Sequence, residues 1–383
     1  MLLIRDWEPD FIAAESALRR ALDLDPSTVH AYTWLANALY GQGRNADAHS
    51  VQDLGLEVDP LNPVISTNIA ARFLRNGNFL TAEKLYLRQM DLPQPPGFAY
   101  AGLHKLYYDY GRMDKAVYWS KQVIRAYSKS GSKREMGILA IDYQSLGMTE
   151  EAEYWYNRYS DSDSEDLSRF LRRGYLYKLR GDSATLKIQL DDFVRRTQID
   201  FKSLPAFPAS VRGALYVIAG NHGKGIDVLA GVFDLDASGV RMFDSIDSYD
   251  FAHELVLAYR ISGDETSAER LLAHIERELQ KLMEAGETYD PKSLELFALN
   301  QVMRGDAAAA LDTLESASGL GWRNCYFIVN DRRWAEVLEL PEFKSLLSWV
   351  KADLDRQRKW SRSRMRRRTL HDCQPIIPLV YDS

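Results

Sequence analysis

The sequence has little cysteine, no long apolar run and no excess of positive charge. Only Cys325 and Cys373 occur among its 383 residues, which excludes a disulfide framework and a cysteine-rich zinc site. No apolar run approaches the roughly 18 residues that a membrane helix needs. Because 48 basic residues stand against 54 acidic ones, for a net charge of −6, a generally basic nucleic-acid coat protein is also excluded.

Motifs for catalysis or ligand binding are equally scarce. The run 220–225 is rich in glycine but lacks the Gly-Lys-Ser/Thr ending of a phosphate loop. The run that begins at Asp234 starts like a calcium loop, yet Ser245 stands where the bidentate glutamate belongs. Neither a His-x-x-x-His pair nor a Gly-x-Ser-x-Gly nucleophile elbow occurs. We therefore expect no catalytic residue, no cofactor and no metal, and a protein that is not an enzyme.

What the sequence does contain is an internal repeat. Ala14, Ala48, Ala82 and Ala116 are spaced 34 residues apart. From the second repeat onward a glycine stands five residues before each anchor position, and the series is Gly43, Gly77, Gly111, Gly147, Gly181, Gly220, Gly263 and Gly305. A period of this length indicates a chain built from stacked copies of one supersecondary unit.

Each repeat is predicted to be two helices joined by a turn. The first helix has apolar residues at helical spacing, such as Leu35, Ala36 and Leu39. The glycine follows it, because a helix end favours a left-handed residue that other side chains resist. The second helix carries the anchor and often ends before a proline, as at Pro26 and Pro60, since proline cannot continue a helix.

The period, the small anchors, the turn glycine and the terminal proline together resemble the tetratricopeptide repeat, or TPR. The resemblance covers residues 1–320, regular to about residue 160 and degenerate after it. It implies an all-α fold, a right-handed α-solenoid of about nine TPR-like helix pairs. It also implies that the first helices line a concave face and that the second helices lie outside.

The pattern changes after residue 320. Residues 321–358 predict a C-terminal cap that ends in a helix, because a terminal repeat needs its apolar face covered. This stretch and the opening run Asp10–Pro26 are similar to the matching parts of bacterial TPR regulators fused to TolB-like, winged-helix or nucleotide-cyclase modules. That likeness implies a sensory or effector segment of a signalling or transcriptional regulator.

Residues 359–383 are predicted to be a flexible tail, basic and then apolar. Between residues 356 and 368 no acidic residue occurs, and the basic residues there are Arg356, Arg358, Lys359, Arg362, Arg364, Arg366, Arg367 and Arg368. One interpretation is a solvated tail that folds back on an acidic solenoid. The other is an arm for nucleic acid or anionic lipid.

The concave positions of a TPR array predict a binding groove. On the resemblance, its partner-contacting residues are Asn37, Tyr40, Lys105, Tyr108, Arg134, Gln144, Tyr175, Lys178 and Arg260, with His30, Phe98, Asp250 and His253 beside them. This cationic and aromatic set suits a protein or peptide partner with acidic or aromatic groups. A C-terminal carboxylate fits poorly, since Thr33, Phe98 and Gly102 stand where chaperone-binding TPR clamps carry cations.

The first repeat starts inside its first helix. Counted back from Ala14, Met1 falls at the seventh position of that helix, so half of the helix is missing. The second helix should then expose apolar surface that includes Phe11 and Leu18. Either Met1 is an internal start within a longer regulator, which we favour, or another chain covers the exposed edge.

These features predict a non-enzymatic scaffold that binds a protein or peptide partner in its groove. The alternative hypothesis is the signalling or transcriptional segment described above, and an enzyme with an unrecognised site is the third. We expect a cytoplasmic location, or a periplasmic one if the chain is part of a membrane-anchored regulator.

Overall fold

The computed structural model describes residues 10–127, 133–160, 174, 177, 180–197, 206–233, 247–284 and 291–365. Every regular element within these ranges is a helix. The described residues form two compact units, of which the first ends at Leu106 and the second begins at Tyr107. The boundary therefore falls inside a helix rather than in a linker.

The helices of the first unit follow the repeat. They are α1 (Phe11–Leu24), α2 (Val29–Gly41), α3 (Asn45–Val58), α4 (Pro63–Arg75), α5 (Phe79–Arg88) and α6 (Gly97–Asp109), with a 3-10 turn at Gln89–Asp91. α6 contains the boundary between the units. Asn62 caps α4 by accepting from the backbone amides of Val64 and Ile65, and Pro63 takes the first helical position. Proline suits that position because its missing N–H would have no partner inside the helix.

The second unit continues with longer and less regular spacing. Its helices are α7 (Met113–Ala126), α8 (Lys133–Ser145), α9 (Thr149–Ser160), α10 (Ser183–Thr197), α11 (Ala206–Ile218), α12 (His222–Phe233), α13 (Asp247–Ser262), α14 (Glu265–Glu284), α15 (Pro291–Met303), α16 (Ala307–Gly319), α17 (Cys325–Ile328), α18 (Ala335–Leu338) and α19 (Pro341–Met365), with a 3-10 turn at Arg332–Trp334. The last helix continues beyond Arg358, where the sequence placed the end of the cap, so the start of the basic run is helical.

The turn glycines confirm the predicted repeat unit. Their φ angles lie between 65° and 85°, and they are Gly43, Gly77, Gly111, Gly147, Gly181, Gly220, Gly263 and Gly305. Only glycine adopts this left-handed conformation without a steric cost. The anchors that follow are fully buried, as at Ala48, Ala82 and Ala116. The chain is therefore an all-α solenoid of TPR-like helix pairs.

In the first unit, α1 is docked on the next helix pair. The ring of Phe11 lies against Gly41, where an added Cβ would approach it to 2.5 Å. Glu15 accepts hydrogen bonds from Gln42 and Arg44 at 2.9 and 2.8 Å. Phe11 and Leu18 are half-buried, because these contacts cover the surface that the sequence predicted to be exposed.

In the second unit, one apolar core includes the C-terminal residues. It extends from Met113 to Leu354 and contains the most deeply buried large side chains of the unit. Among them, Trp322 and Trp334 are each 1% exposed. Residues beyond 320 are therefore a structural part of this unit and do more than cover its last repeat.

Candidate binding surfaces

In the first unit, α2 exposes an aromatic side chain on its outward face. Trp34 is 63% exposed, and the exposed side chains of His30 and Asn37 lie one helical turn to either side. The opposite face of α2 is held in the core by Leu35 and Leu39. Because α2 is fixed by that core, Trp34 is presented to solvent from a rigid element.

Residues one or two repeats further along lie at the same or at adjacent positions on α4 and α6. We call this set the first-unit face: His30, Trp34 and Asn37 on α2, Thr67, Asn68 and Ala71 on α4, and Phe98, Ala101 and Lys105 on α6. The α4 residues are half-buried, whereas those on α6 are exposed, Phe98 to 37%. Stacked repeats place equivalent positions along one surface, so this face combines two aromatic rings, two carboxamides and one lysine.

Three residues of the predicted groove lie in the first unit, and their surroundings differ. Asn37 and Lys105 are exposed on the first-unit face. Tyr40 is half-buried and turns towards α3, where its hydroxyl lies 3.4 Å from Gln52 Oε1 and its ring meets His49 edge-on at 5.8 Å. Tyr40 therefore also joins the two helices of its pair.

The prediction missed Trp34, although the sequence contained a signal for it. Trp34 stands 34 residues before Asn68, the equivalent position of the next repeat. The groove predicted from the resemblance did not include this position of the first helix. A tryptophan there is easily taken for core packing, because large aromatic residues usually are.

In the second unit, a segment of the chain lies across several helix pairs. We call it the strap, residues 321–334. Near its start, Gly321 lies so close to Gly111, in the turn between α6 and α7, that neither residue has room for a Cβ. The contacts then continue along the strap: Tyr326 with Gly147 in the α8–α9 turn, Arg332 with Val217 at the end of α11, and Arg333 with Asp250 in α13.

The predicted groove residues of the second unit contact the chain itself. The Tyr108 hydroxyl donates to Asn324 Oδ1 of the strap at 3.4 Å, and Gln144 is only 7% exposed. Arg260 forms ion pairs with Glu265 and Glu269 at 3.1 and 2.8 Å. Tyr175, Lys178 and the side chain of Arg134 lie outside the described residues.

A buried charged cluster fixes the far end of the strap. Arg333 pairs with Asp331 at 2.6 Å and with Asp250 at 2.7 Å, and Glu254 lies 3.5 Å away. Burial by itself lowers the pKa of Arg333, but the three carboxylates outweigh it and raise the pKa well above its usual value. The guanidinium therefore stays charged and holds the strap on α13.

His253 lies beside this cluster as a neutral, fully buried imidazole. Its Nδ1 lies 2.7 Å from the Tyr249 carbonyl oxygen, and its Nε2 lies 3.3 Å from Asn300 Oδ1. Burial, together with the positive charge of Arg333, lowers the pKa of His253 to about 4. The sequence predicted that His253 lies beside the groove residues. In the structure its side chain is instead part of the packing between helices.

A second polar contact holds the start of the strap. Glu295 of α15 accepts from Trp322 Nε1 at 2.8 Å and from Asn324 Nδ2 at 3.1 Å, and Lys292 pairs with it at 2.7 Å. Glutamate provides the acceptors that a buried indole N–H requires. Both ends of the strap are thus held by donors on the strap and carboxylates on the repeats.

Part of the basic run is also engaged with the second unit. Arg358 donates to the Tyr326 hydroxyl at 3.2 Å and to the Gly147 carbonyl oxygen at 3.5 Å, and Arg356 pairs with Asp353 at 2.9 Å. The neighbouring Gln357 donates to the Gly111 carbonyl oxygen at 2.8 Å. The first residues of the run therefore lie on the second unit, in the helix that ends the predicted cap, whereas residues 366–383 of the predicted tail lie outside the described residues.

Neither a cluster of metal ligands nor a membrane-spanning helix occurs in the described parts of the chain. No three His, Cys, Asp or Glu side chains there come together as metal ligands. Cys325, the described cysteine, is buried, and burial raises the pKa of its thiol to about 11. None of the described helices is both long and apolar enough to cross a bilayer. The run that begins at Asp234 lies outside the described residues.

No protein-family model and no curated protein matches the chain. It resembles a tetratricopeptide repeat protein from Parabacteroides merdae, at 12% identity and a TM-score of 0.37, over 70% of this chain and 96% of the other. It also resembles a chain of the APC/C hetero-tetramer Cut9–Hcn1, at 14% identity and a TM-score of 0.43, over 88% and 58%. A third resemblance is to human IFIT1 in complex with PPP-AAAA, at 13% identity and a TM-score of 0.41, over 81% and 87%.

Proposed function

We propose that the protein is a non-enzymatic scaffold that binds a protein or peptide partner through the first-unit face. The observation that carries this proposal is Trp34, a tryptophan 63% exposed on a helix whose other side is fixed in the core. Tryptophan is among the side chains that supply most of the binding energy of protein interfaces. The helix that carries the ring is already held by the core, so little backbone entropy is lost when a partner covers the ring.

The chemistry of the face specifies the partner. Trp34 and Phe98 offer rings for an apolar or aromatic side chain, and Lys105 favours an acidic group nearby. The carboxamides of Asn37 and Asn68 can each donate to and accept from a peptide backbone. We therefore expect an internal, extended peptide segment with an acidic residue.

Within the first unit, this surface retains Asn37 and Lys105 from the predicted groove, with Tyr40 at its edge. Tyr108 and Gln144 lie in the second unit, where the strap and neighbouring helices surround them. The proposed contact surface is thus confined to α2, α4 and α6, and the cationic character expected of the groove is reduced there to one lysine.

The test is site-specific photo-crosslinking followed by affinity measurement. A photoreactive phenylalanine analogue at position 34 should capture the partner, and the same analogue at position 61 should not. Leu61 is the matched control because it is also 63% exposed but lies between α3 and α4, away from the face. With the identified partner purified, Trp34→Ala should weaken binding by about thirtyfold, the effect of losing an interface anchor.

Leu61→Ala should leave the same affinity within about twofold, since surface substitutions away from a contact cost little. Equal affinities of the wild type and Trp34→Ala, measured with a folded variant, would contradict the proposal. Binding to isolated C-terminal carboxylate peptides would contradict the assignment of an internal segment.

The alternative is that the chain serves as a sensory or effector segment of a bacterial signalling or transcriptional regulator. The similarity of its opening and closing runs to such proteins supports this hypothesis. A reading frame that continues in phase upstream of Met1 into a winged-helix, TolB-like or cyclase module would favour it. The two hypotheses are compatible if the first-unit face binds the regulator's own partner.

A further inference from the structure

The strap binds the second unit as a peptide ligand would bind it. Several of its contacts advance along the array, from the α6–α7 turn at Gly321 to α13 at Arg333, while Trp322 and Asn324 meet α15. The covalent connection that feeds the strap is short, since α16 ends at Gly319. The strap is thus a segment of extended and short helical chain seated on a preformed helical surface.

Most of the hydrogen bonds that anchor the strap run from donors on the strap to acceptors on the surface beneath it. Arg332 donates to the Val217 carbonyl oxygen at 2.6 Å, and Arg333 donates to both the carbonyl and the carboxylate of Asp250 at 3.0 and 2.7 Å. At the other end, Trp322 donates its indole N–H to Glu295 at 2.8 Å. This chemistry differs from the cation-lined groove predicted from the sequence, because the arginines of these contacts lie on the occupant.

Guanidinium groups are well suited to such a surface. Their planar donors can satisfy a carboxylate and a backbone carbonyl at once, as Arg333 does with Asp250. Trp334, directly after the two arginines, is fully buried in the core of the unit. The sequence Arg332-Arg333-Trp334 therefore gives the strap two charged anchors and one apolar anchor in adjacent positions.

We propose that this acceptor-bearing surface of the second unit is a peptide-binding site held closed in cis by the strap, and that in trans it takes a segment with adjacent arginine and tryptophan residues. The site is separate from the first-unit face and of opposite chemical preference. The proposed function of the first unit does not depend on it.

Competition within the chain sets the behaviour of the closed site. A segment tethered by a short connection acts at an effective concentration on the order of millimolar. A free peptide of the same sequence at micromolar concentration therefore competes poorly with the strap. The apparent affinity of the protein for the peptide is the affinity of the open site multiplied by the fraction of molecules in which the strap has left.

The test uses the full chain and a fluorescent synthetic peptide with the sequence of residues 320–336. Gly321→Ala should displace the strap in cis without altering any residue of the surface, because a Cβ there would lie 2.6 Å from the backbone carbon of Tyr110. Gly305→Ala is the matched control, since Gly305 also has a positive φ but an added Cβ meets nothing within 4 Å.

We expect Gly321→Ala to bind the peptide at least about tenfold more tightly than the wild type, measured by fluorescence anisotropy. Gly305→Ala should behave as the wild type. A peptide with both arginines changed to glutamate should not bind any of the three proteins, because it would set a carboxylate against Asp250 and Glu254.

A second variant keeps the test decisive if Gly321→Ala does not fold. Arg333→Ala weakens the strap from within, and removing one partner of a buried ion pair costs on the order of a hundredfold or more in occupancy. The peptide should raise the melting temperature of Arg333→Ala and leave that of the wild type unchanged.

Equal peptide affinity for all variants would overturn closure in cis. Folded Gly321→Ala and Arg333→Ala proteins that do not bind the peptide would overturn the trans site. Loss of helicity in both variants would overturn the proposal as well, because a strap that cannot leave without unfolding is core and not a ligand.

Discussion

Gly111→Ala tests whether the strap stabilises the second unit through its close backbone contact. The substitution carries two costs. An alanine at φ +70° is strained by about 1–2 kcal/mol. Its Cβ also meets the Gly321 carbonyl oxygen, and forcing backbone apart in a packed core costs typically about 1–3 kcal/mol. The expected total is about 2–5 kcal/mol.

Gly305→Ala separates the two costs. Gly305 has φ +82°, and a Cβ there meets nothing within 4 Å, so only the strain of about 1–2 kcal/mol applies. Urea unfolding followed by far-ultraviolet circular dichroism should therefore show Gly111→Ala to be less stable than Gly305→Ala by about 1–3 kcal/mol.

The double variant Gly111→Ala/Gly321→Ala tests whether the two glycines contribute to the same contact. Once Gly321→Ala has moved the strap, Gly111→Ala should add only the conformational strain, so the two substitutions should fall short of additivity. Equal stabilities of Gly111→Ala and Gly305→Ala, or strictly additive effects of Gly111→Ala and Gly321→Ala, would refute the reasoning that the two glycines serve one contact.

Three further results are expected. The pKa of His253 falls from 6.5 to about 4 on folding, so the unfolded chain binds the extra proton between these pH values. About 3 kcal/mol of stability present above pH 6.5 should therefore be lost as the pH falls towards 4. His253→Asn should flatten this dependence of the unfolding free energy on pH, measured by urea unfolding, and an unchanged dependence would contradict the assignment. Cys325 is buried and has a thiol pKa of about 11. In a Cys373→Ser background, it should react with a thiol reagent at pH 8 at least about a hundredfold more slowly in the native protein than in the urea-unfolded protein. Fast labelling of the native protein would show that the strap opens readily. Glu295→Ala should lower the free energy of unfolding by about 3 kcal/mol, because Trp322 and Asn324 lose a buried acceptor. A change below about 0.5 kcal/mol would show that water satisfies these two donors.

The repeat units could be predicted from the sequence because their requirements are local. A left-handed turn residue and a small buried anchor five positions later are needed in every unit, so each leaves a mark at a fixed spacing, as in Gly43 and Ala48. The same register places Trp34 on the outward face of α2. The predicted groove did not include that position of the first helix.

The strap could not be predicted, since the contacts that join it to the helices beneath it are not local. Tyr108 and Asn324 are 216 residues apart in the chain, and nothing in the pattern around either residue specifies the other. Burial of Gln144 and His253 follows from contacts between distant helices, while their repeat positions alone predict exposure.

The sequence by itself therefore determined the helix pairs, their turns and the all-α solenoid, because backbone geometry and apolar period act within each unit. The tertiary structure alone decided which first-helix residues are accessible to a partner. In the first unit the predicted surface is exposed at Asn37 and Lys105, whereas in the second unit Arg333 pairs with Asp250 across 83 residues of chain. Hydrogen bonds between residues far apart in the chain, and not the repeat pattern, place the strap on the helices of the second unit.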